Sequence, residues 1–282
     1  MLDRLRRMVG GGAGASTPPA SAGRSTHNRH YVTAAPSAQH QLDLFRGEWT
    51  SAVPLPGEDT VSGPRRDLFD DPRMAWMIDR LRPGERWRIL ELGPLEGGHT
   101  AMLEQAGATD IVAVEAHERA FLRCLVVKNL LDLRAHFLLG DFVAYLRHTA
   151  ERFDLCVASG VLYHMAEPLQ LLQLIAERCR RVFLWTHLYD PVVMARRPDV
   201  AARFSGTTRL EQAGTTCTGY RYEYREGRGL PSFCGGPLPH SHWITRDALL
   251  EALRAFGYTH VEVAFDEPDR EHGPALAVLA WR

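Results

Sequence analysis

The sequence predicts an α/β fold in which a mostly parallel sheet of seven strands is covered by helices on both faces. From residue 86 onward, short apolar runs alternate with stretches whose apolar residues have helical spacing. This alternation is typical of parallel strands joined by crossover helices. Only turn-forming residues separate the last two apolar runs, so we expect an antiparallel pair at one edge of the sheet.

Each predicted strand is a short apolar run rich in branched or aromatic residues. In chain order the runs read WRILELG, DIVAVEA, AHFLLGD, FDLCVASGVL, RRVFLWTH, THVEVAFDE and PALAVLAWR. The predicted helices fall at 97–107, 117–132 and 142–150, in the run EPLQLLQLIAERC, and at 245–256. The apolar side of the second helix carries Phe121, Leu122, Leu125, Val126 and Leu130.

The chain divides into three predicted segments. Residues 1–38 are rich in Gly, Ala, Ser, Pro and Arg and contain few large apolar side chains, so we expect a disordered tail. Residues 39–85 form an N-terminal lead-in that ends in the short helix DPRMAWMIDRL, and residues 86–282 form the main domain. Within it, residues 188–243 break the alternation with many glycines, which predicts an inserted lid over a substrate pocket.

The composition excludes some classes of protein. Hydrophobic residues make up 45%, charged residues 24%, and the formal net charge is −1, so there is no global basic field to attract nucleic acid, although a local patch stays possible. No run approaches the ~18 apolar residues of a membrane span, and we expect a cytoplasmic protein without a membrane partner. The five cysteines have no C-x-x-C spacing, and we expect Cys124, Cys156 and Cys179 to be buried.

The first strand runs into the glycine-rich turn GPLEGG. A dinucleotide site needs G-x-G-x-x-G, because the second glycine lets the backbone approach the pyrophosphate. Leu95 occupies that position and Pro94 lacks an N–H donor, so a pyrophosphate site is disfavoured. Glu91, Gly93 and Gly97 still suit a turn around an amino-acid moiety, with a purely structural strand-to-helix turn as the alternative.

Acidic residues follow the second and third predicted strands. Glu115 comes about twenty residues past the glycines, where a carboxylate accepts from both ribose hydroxyls of a nucleoside. Asp141 is placed to accept from an adenine amine, with Phe142 packing against the ring. Taken singly, each acid is equally suited to the start of a helix. Together with the glycine turn, their order is the signature of a class I S-adenosylmethionine-dependent methyltransferase.

The fourth strand ends in ASGVLYHMAEPL, which resembles the corresponding motif of class I methyltransferases. It is most similar to the tRNA wobble-uridine carboxymethyltransferase group, in which S-G-V-L-Y-H precedes a helix that begins Pro-Leu. The run RAFLRCLVVKNLL resembles that group's second helix, and the resemblance spans about residues 86–190. It implies S-adenosylmethionine as cofactor, lined by the Ser159–Gly160 backbone, the glycine turn and the two acids, with Tyr163 and His164 facing the substrate.

The chain departs from that group at Met165 and Ala166, where the group has basic residues that would bind a carboxymethyl group. The departure predicts the ordinary cofactor and a plain methyl transfer. The insertion at 188–243 has no counterpart in the group, so the substrate is not carried over by the resemblance.

Methyl transfer from a sulfonium needs alignment and, for a hydroxyl or amine acceptor, a general base. His164 follows the fourth strand and His187 the fifth, and both are candidate bases because histidine titrates near neutral pH. A hydrogen-bonded structural role is the alternative for each. Asp190, His240 and His242 are candidate substrate contacts. A metal site built from these residues is disfavoured, and we expect no metal.

The run YRYEYR, residues 220–225, predicts an exposed strand of the lid, with a nucleic-acid stacking platform as the less favoured alternative. We therefore predict methyl transfer from S-adenosylmethionine to an oxygen or nitrogen of a small-molecule acceptor. A tRNA-modifying alkyltransferase and a non-catalytic S-adenosylmethionine-binding module are the alternatives. A nicotinamide oxidoreductase is disfavoured by Leu95 and Asp141.

Overall fold

The computed structural model describes residues 31–55, 62–64, 68–229, 233 and 235–282. Most of the predicted disordered tail, residues 1–30, therefore lies outside the described residues. The elements below all belong to the unit Ser37–Arg282.

The strands and helices follow the predicted alternation from Arg88 onward. The strands are β1 (Arg88–Leu92), β2 (Asp110–Glu115), β3 (His136–Leu139), β4 (Leu155–Ser159), β5 (Arg181–His187), β6 (Phe204–Gln212), β7 (Thr215–Glu223), β8 (His240–Trp243), β9 (His260–Glu267) and β10 (Ala275–Trp281). The helices are α1 (Ala38–Leu42), α2 (Pro72–Leu81), α3 (Gly98–Gln105), α4 (Glu118–Leu130), α5 (Phe142–His148), α6 (Pro168–Arg178), α7 (Pro191–Arg196), α8 (Pro198–Ala201) and α9 (Arg246–Ala255). Short 3₁₀ turns lie at Asp43–Phe45, Leu162–His164 and Arg225–Gly229.

A seven-stranded sheet in the order β3-β2-β1-β4-β5-β10-β9 confirms the predicted fold class. β1 is parallel to both neighbours, with Ile89 opposite Ile111 on one side and Leu155 on the other. The direction of the chain along the sheet reverses between β1 and β4, and ligands of open α/β sheets bind at such a switch point.

The predicted antiparallel pair lies at the edge of the sheet, with β9 as the outermost strand. β10 runs antiparallel to β5 on one side and to β9 on the other. Ala275–Ala280 of β10 are buried, whereas most of β9 is half-buried, so β10 takes the interior position and β9 the edge.

Residues of the predicted insertion form a second, three-stranded antiparallel sheet in the order β6-β7-β8, preceded by the short helices α7 and α8 that the sequence did not predict. The prediction that YRYEYR is an exposed strand is wrong for most of its length. No residue of 220–224 is exposed, because the tyrosine rings pack inward, with Tyr222 stacked on Trp243 at 4.8 Å.

The core lies on both faces of the large sheet. Leu90 and Leu92 point to one face and Ile89 to the other, as the two-residue period of a strand requires. Cys124, Cys156 and Cys179 are buried, as predicted. In the described part of the chain, no helix combines the length and apolar character needed to cross a bilayer.

The lead-in packs closely against the first helix of the main domain. Met74 and Met77 of α2 share a buried cluster with Leu103 of α3. At the start of α3, a Cβ on Gly98 would lie 2.2 Å from the carbonyl oxygen of Leu68, so only glycine fits there. The lead-in is thereby held beside the glycine turn.

Candidate active site

The glycine turn between β1 and α3 has a left-handed backbone at three positions. Gly93 has φ +63° and Gly97, which precedes the helix, has φ +77°. Leu95 also has a positive φ, +57°, a conformation that costs a side-chain-bearing residue about 1–2 kcal/mol. The Glu115 carboxylate offsets this cost, since its Oε2 accepts a hydrogen bond of 3.1 Å from the Leu95 N–H. Glu115 thus shapes the turn.

Glu115 lies at the end of β2 and is buried. Its second oxygen accepts from the N–H of His117 at 2.8 Å, just before α4 begins. The carboxylate therefore joins the glycine turn to the end of β2, at the place where the sequence predicted a ribose contact.

Glu91, near the end of β1, points into the core. Its carboxyl group accepts a short hydrogen bond from the Thr100 hydroxyl, and burial raises its pKa above the ordinary value. The arrangement holds the start of α3 against the strand.

Glu96 is a buried residue to which the sequence assigned no role. Its two carboxylate oxygens accept from the N–H groups of Thr50 at 2.9 Å and Ser51 at 2.7 Å. Its Oε1 also lies 3.1 Å from Nε of Arg123, in an ion pair in which both side chains are buried. Arg123 is 27 residues from Glu96 in the sequence, and Thr50 and Ser51 are about 45 residues from it. The only local sign of this role is therefore an acidic residue inside a glycine-rich turn.

Asp141 immediately precedes α5 and is exposed. Its Oδ1 accepts from the N–H groups of Val143 at 2.7 Å and Ala144 at 3.2 Å, which is the helix-capping role weighed as the alternative for this acid. Phe142 packs against the core beside it. These capping bonds use Oδ1, so the capping role and the predicted adenine contact are compatible.

The end of β4 brings an aromatic group to the switch point. After Ser159, Gly160 has φ +86° and donates its N–H to the Trp185 carbonyl at 2.8 Å. The 3₁₀ turn that follows places the ring of Tyr163 4.0 Å from that of His164 and 4.8 Å from that of His187. The structure thus groups three of the predicted site residues.

Both candidate bases are neutral at neutral pH. Burial and the nearby His187 lower the pKa of His164 to about 3, and its Nδ1 lies 2.9 Å from the Tyr224 hydroxyl oxygen. Burial lowers the pKa of His187 to about 4, although hydrogen bonds to the carbonyls of Gly273 and Pro274 act in the opposite direction.

The hydrogen bonds of His187 decide which of its ring nitrogens is free to accept a proton. A carbonyl oxygen only accepts, so Nδ1 carries the proton and donates to Gly273 at 3.0 Å and Pro274 at 3.3 Å. In the neutral ring, Nε2 then holds the lone pair. This is the state that a general base requires.

The second sheet encloses the histidines through Trp243 of β8. Trp243 is buried and lies between His187, stacked at 5.1 Å, and Tyr222, stacked at 4.8 Å. Phe204 meets the same indole edge-on at 5.2 Å. The insertion therefore supplies an aromatic wall beside the candidate base.

The remaining predicted substrate contacts have structural partners. Oδ1 of Asp190 caps α7 by accepting from Val192 N at 2.8 Å and Val193 N at 3.1 Å. His242 is buried and donates its backbone N–H to Met165 O at 2.9 Å and its Nδ1 proton to the Ala166 carbonyl.

His240 is half-buried, with its ring 5.5 Å from that of His242. Among the residues that the structure describes, no three His, Cys, Asp or Glu side chains are grouped as metal ligands. The substrate contacts predicted for Asp190, His240 and His242 stay predictions.

Part of the chain matches a known protein family. Residues 90–182, which run from β1 to β5, match the family model described as a methyltransferase domain. This part of the chain is thus similar to a methyltransferase domain. This match confirms the predicted enzyme class, an S-adenosylmethionine-dependent methyltransferase, and its cofactor. No curated protein matches the sequence.

Solved structures of methyltransferases share the fold. The structure is similar to the N-terminal domain of EvdMO1 with SAH bound, with a TM-score of 0.64 at 21% identity over 86% of this chain and 94% of that one. An S-adenosylmethionine-dependent methyltransferase from Mesorhizobium loti has a TM-score of 0.51 at 16% identity, over 76% of this methyltransferase and 100% of that chain. Magnesium protoporphyrin IX methyltransferase from Synechocystis has a TM-score of 0.50 at 15% identity, over 75% of this chain and 81% of that one.

Proposed function

We propose that this methyltransferase transfers a methyl group to an oxygen or nitrogen of a small-molecule acceptor, with His187 as the general base. The grouping of Tyr163, His164 and His187 at the carboxyl ends of β4 and β5 is the observation that supports it. The net charge of −1 and the small-molecule substrate named for the magnesium protoporphyrin IX methyltransferase agree with such an acceptor.

The residues at the switch point fit the cofactor. A Cβ on Gly93 would lie 3.2 Å from the Val161 side chain, so β1 and the segment after β4 meet closely there and a larger residue would narrow the site. Glu115 at the end of β2 would hold the ribose, and Asp141 with Phe142 after β3 would hold the adenine. When bound, S-adenosylmethionine supplies an electrophilic methyl group on its sulfonium.

The protein's own contribution to the step is alignment and proton removal. Nε2 of His187 is the acceptor for the proton of an acceptor hydroxyl or amine, because Nδ1 is fixed as a donor to Gly273 and Pro274. His164, hydrogen-bonded to Tyr224, positions the neighbouring Tyr163 ring against the acceptor. Trp243 and its stacked neighbours exclude water from this side of the pocket.

Incubation with methyl-labelled S-adenosylmethionine and a host-cell extract tests the proposal. Label in a low-molecular-weight product, abolished in the His187→Asn variant, is the expected result. Label in RNA instead, with binding to bulk tRNA that weakens steeply with salt, would favour the tRNA-modifying alternative.

Calorimetric titration with S-adenosylhomocysteine and with NAD completes the test. Binding of S-adenosylhomocysteine without turnover on any extract would favour the non-catalytic binding module. Binding of NAD alone would refute the proposal.

A further inference from the structure

Arg73, at the start of α2, has a guanidinium nitrogen without a hydrogen-bond partner among the described residues. The side chain is 12% exposed, and the unpartnered Nη1 is buried. Buried charged donors are rarely left unpaired in native proteins, and each such donor needs an explanation such as a ligand. No sequence pattern predicted a role for Arg73.

The other guanidinium nitrogens of Arg73 are held in a fixed geometry by Asp71. Nε donates to Oδ1 at 2.9 Å and Nη2 donates to Oδ2 at 2.6 Å. Although burial raises the pKa of Asp71, hydrogen bonds from His99 and Arg73 hold it below its ordinary value, so Asp71 is ionised. This two-point pairing fixes the plane of the guanidinium and leaves Nη1 as the remaining donor.

Trp185 fixes the guanidinium from one side. The Arg73 Cζ lies 4.2 Å from the centroid of the Trp185 ring, a cation–π contact. The same ring meets Tyr163 edge-on at 6.0 Å and His187 at 5.1 Å. Arg73 is therefore adjacent to the group that we assign to methyl transfer.

The segment around Arg73 is also fastened to the glycine turn. His99, in the first turn of α3, lies 3.0 Å from Oδ2 of Asp71 through its Nε2. The backbone N–H of Asp71 contacts the sulfur of Met102, and Leu68 abuts Gly98. Arg73 thus lies between the turn that suits an amino-acid moiety and the candidate base.

We propose that Arg73 binds a carboxylate through Nη1. This inference rests on the proposed function, because it places the ligand in the methyl-transfer site. Planar guanidinium donors are suited to carboxylates, and the attachment to α3 favours the amino-acid carboxylate of S-adenosylmethionine as the source. A carboxylate of the acceptor is the other source, and binding experiments separate the two.

The first experiment titrates the full chain with S-adenosylhomocysteine, which has the amino-acid carboxylate, and with methylthioadenosine, which lacks it. For Arg73→Met, we expect an affinity for S-adenosylhomocysteine about ten- to a hundredfold lower, and less than a twofold change for methylthioadenosine. Arg80→Met is the matched control, since this exposed arginine of the same helix pairs with Glu262, and both affinities should stay unchanged. Arg73→Lys keeps the positive charge but not the planar guanidinium with its several N–H donors, and it should recover part of the affinity for S-adenosylhomocysteine.

The second experiment applies if Arg73→Met leaves the affinity for S-adenosylhomocysteine unchanged. Titration of the S-adenosylhomocysteine complex with benzoate should then show binding to the wild type and not to Arg73→Met, which assigns the site to an acceptor carboxylate. Absence of both effects refutes the proposal.

The proposal is also refuted if Arg73→Met binds S-adenosylhomocysteine and methylthioadenosine with equally reduced affinity. Arg73 would then support the site only as a structural residue. Failure of the wild type to bind S-adenosylhomocysteine would instead refute the proposed function. If Arg73→Met does not fold, Arg73→Lys takes its place in both titrations, with the same pattern of losses but smaller changes in affinity, because lysine keeps the positive charge.

Discussion

His187 lies face to face with Trp243, with ring centroids 5.1 Å apart and planes inclined by 11°. His187 ends β5 of the large sheet, and Trp243 ends β8 of the small one. The stack therefore connects the candidate base to the insertion, residues 188–243. This insertion forms one wall of the proposed acceptor pocket.

Replacement of His187 by asparagine should remove general-base catalysis while keeping the local fold. The asparagine amide can still donate to the Gly273 carbonyl, but it has no nitrogen at the position of Nε2. We expect kcat to fall by about 10²- to 10⁴-fold with little change in binding of S-adenosylhomocysteine. The matched control is His260→Asn, since His260 is exposed and stacks on Trp281 at the far edge of the sheet. A rate near that of the wild type in His187→Asn would rule out this role.

The protein should lose stability in mild acid because of its buried neutral histidines. The folded pKa of His187, about 4, lies below its ordinary value of 6.5. As pH falls through 6.5, the unfolded chain binds the proton first, so the contribution of His187 is complete above that pH and is lost progressively down to about pH 4.

Between pH 7 and pH 5 the loss from His187 should be about 2 kcal/mol in the free energy of unfolding. Urea denaturation at the two pH values measures it, and His187→Asn should lose correspondingly less stability over this interval. An equal loss in variant and wild type would show that the histidine does not titrate as its burial requires.

Replacement of Glu96 by glutamine should destabilise the fold strongly. The substitution removes the 3.1 Å partner of the buried Arg123 guanidinium, which keeps the Glu48 carboxylate 3.6 Å from its Nη1. Breaking a buried ion pair costs about 3–5 kcal/mol, and the remaining pair with Glu48 places the expected loss toward the lower end of that range. Glu262→Gln is the control, because its pair with Arg80 is exposed and should contribute less than about 1 kcal/mol. Chemical denaturation of the three proteins tests this, and similar midpoints for both variants would contradict it.

Gly98→Ala should displace the lead-in from the start of α3. The new Cβ would lie 2.2 Å from the Leu68 carbonyl oxygen, a backbone atom that cannot move without its segment. We expect the free energy of unfolding to fall by about 1–3 kcal/mol, as it does when a side chain is forced into a filled space, and S-adenosylhomocysteine to bind more weakly. Gly84→Ala has open space around the new methyl group and should be neutral. Thermal denaturation and calorimetry of both variants provide the measurements.

Much of the fold was predictable because it depends on local periodicity. The alternation of apolar runs with helical stretches predicts β1 to β5 and the helices between them within a few residues. Glu115, Asp141 and His187 were predicted as site residues because they follow strands, and parallel strands bring their carboxyl ends to one edge; their roles stay predictions.

The tertiary structure decided what depends on contacts between distant residues. The interior position of β10 follows from burial on both faces, and the inward packing of Tyr222 follows from its stack on Trp243. The unpartnered donor of Arg73 is visible only once Asp71 and Trp185 are in place.

By itself, the sequence determined the order of strands and helices and the acids at the strand ends, because these depend on spacing along the chain. Only the tertiary structure decided that Glu96 is buried against Arg123 and that His187 is a neutral imidazole with Nδ1 held as a donor. The physical reason is that burial and hydrogen-bond partners set protonation and charge pairing, and both come from residues that are remote in the sequence.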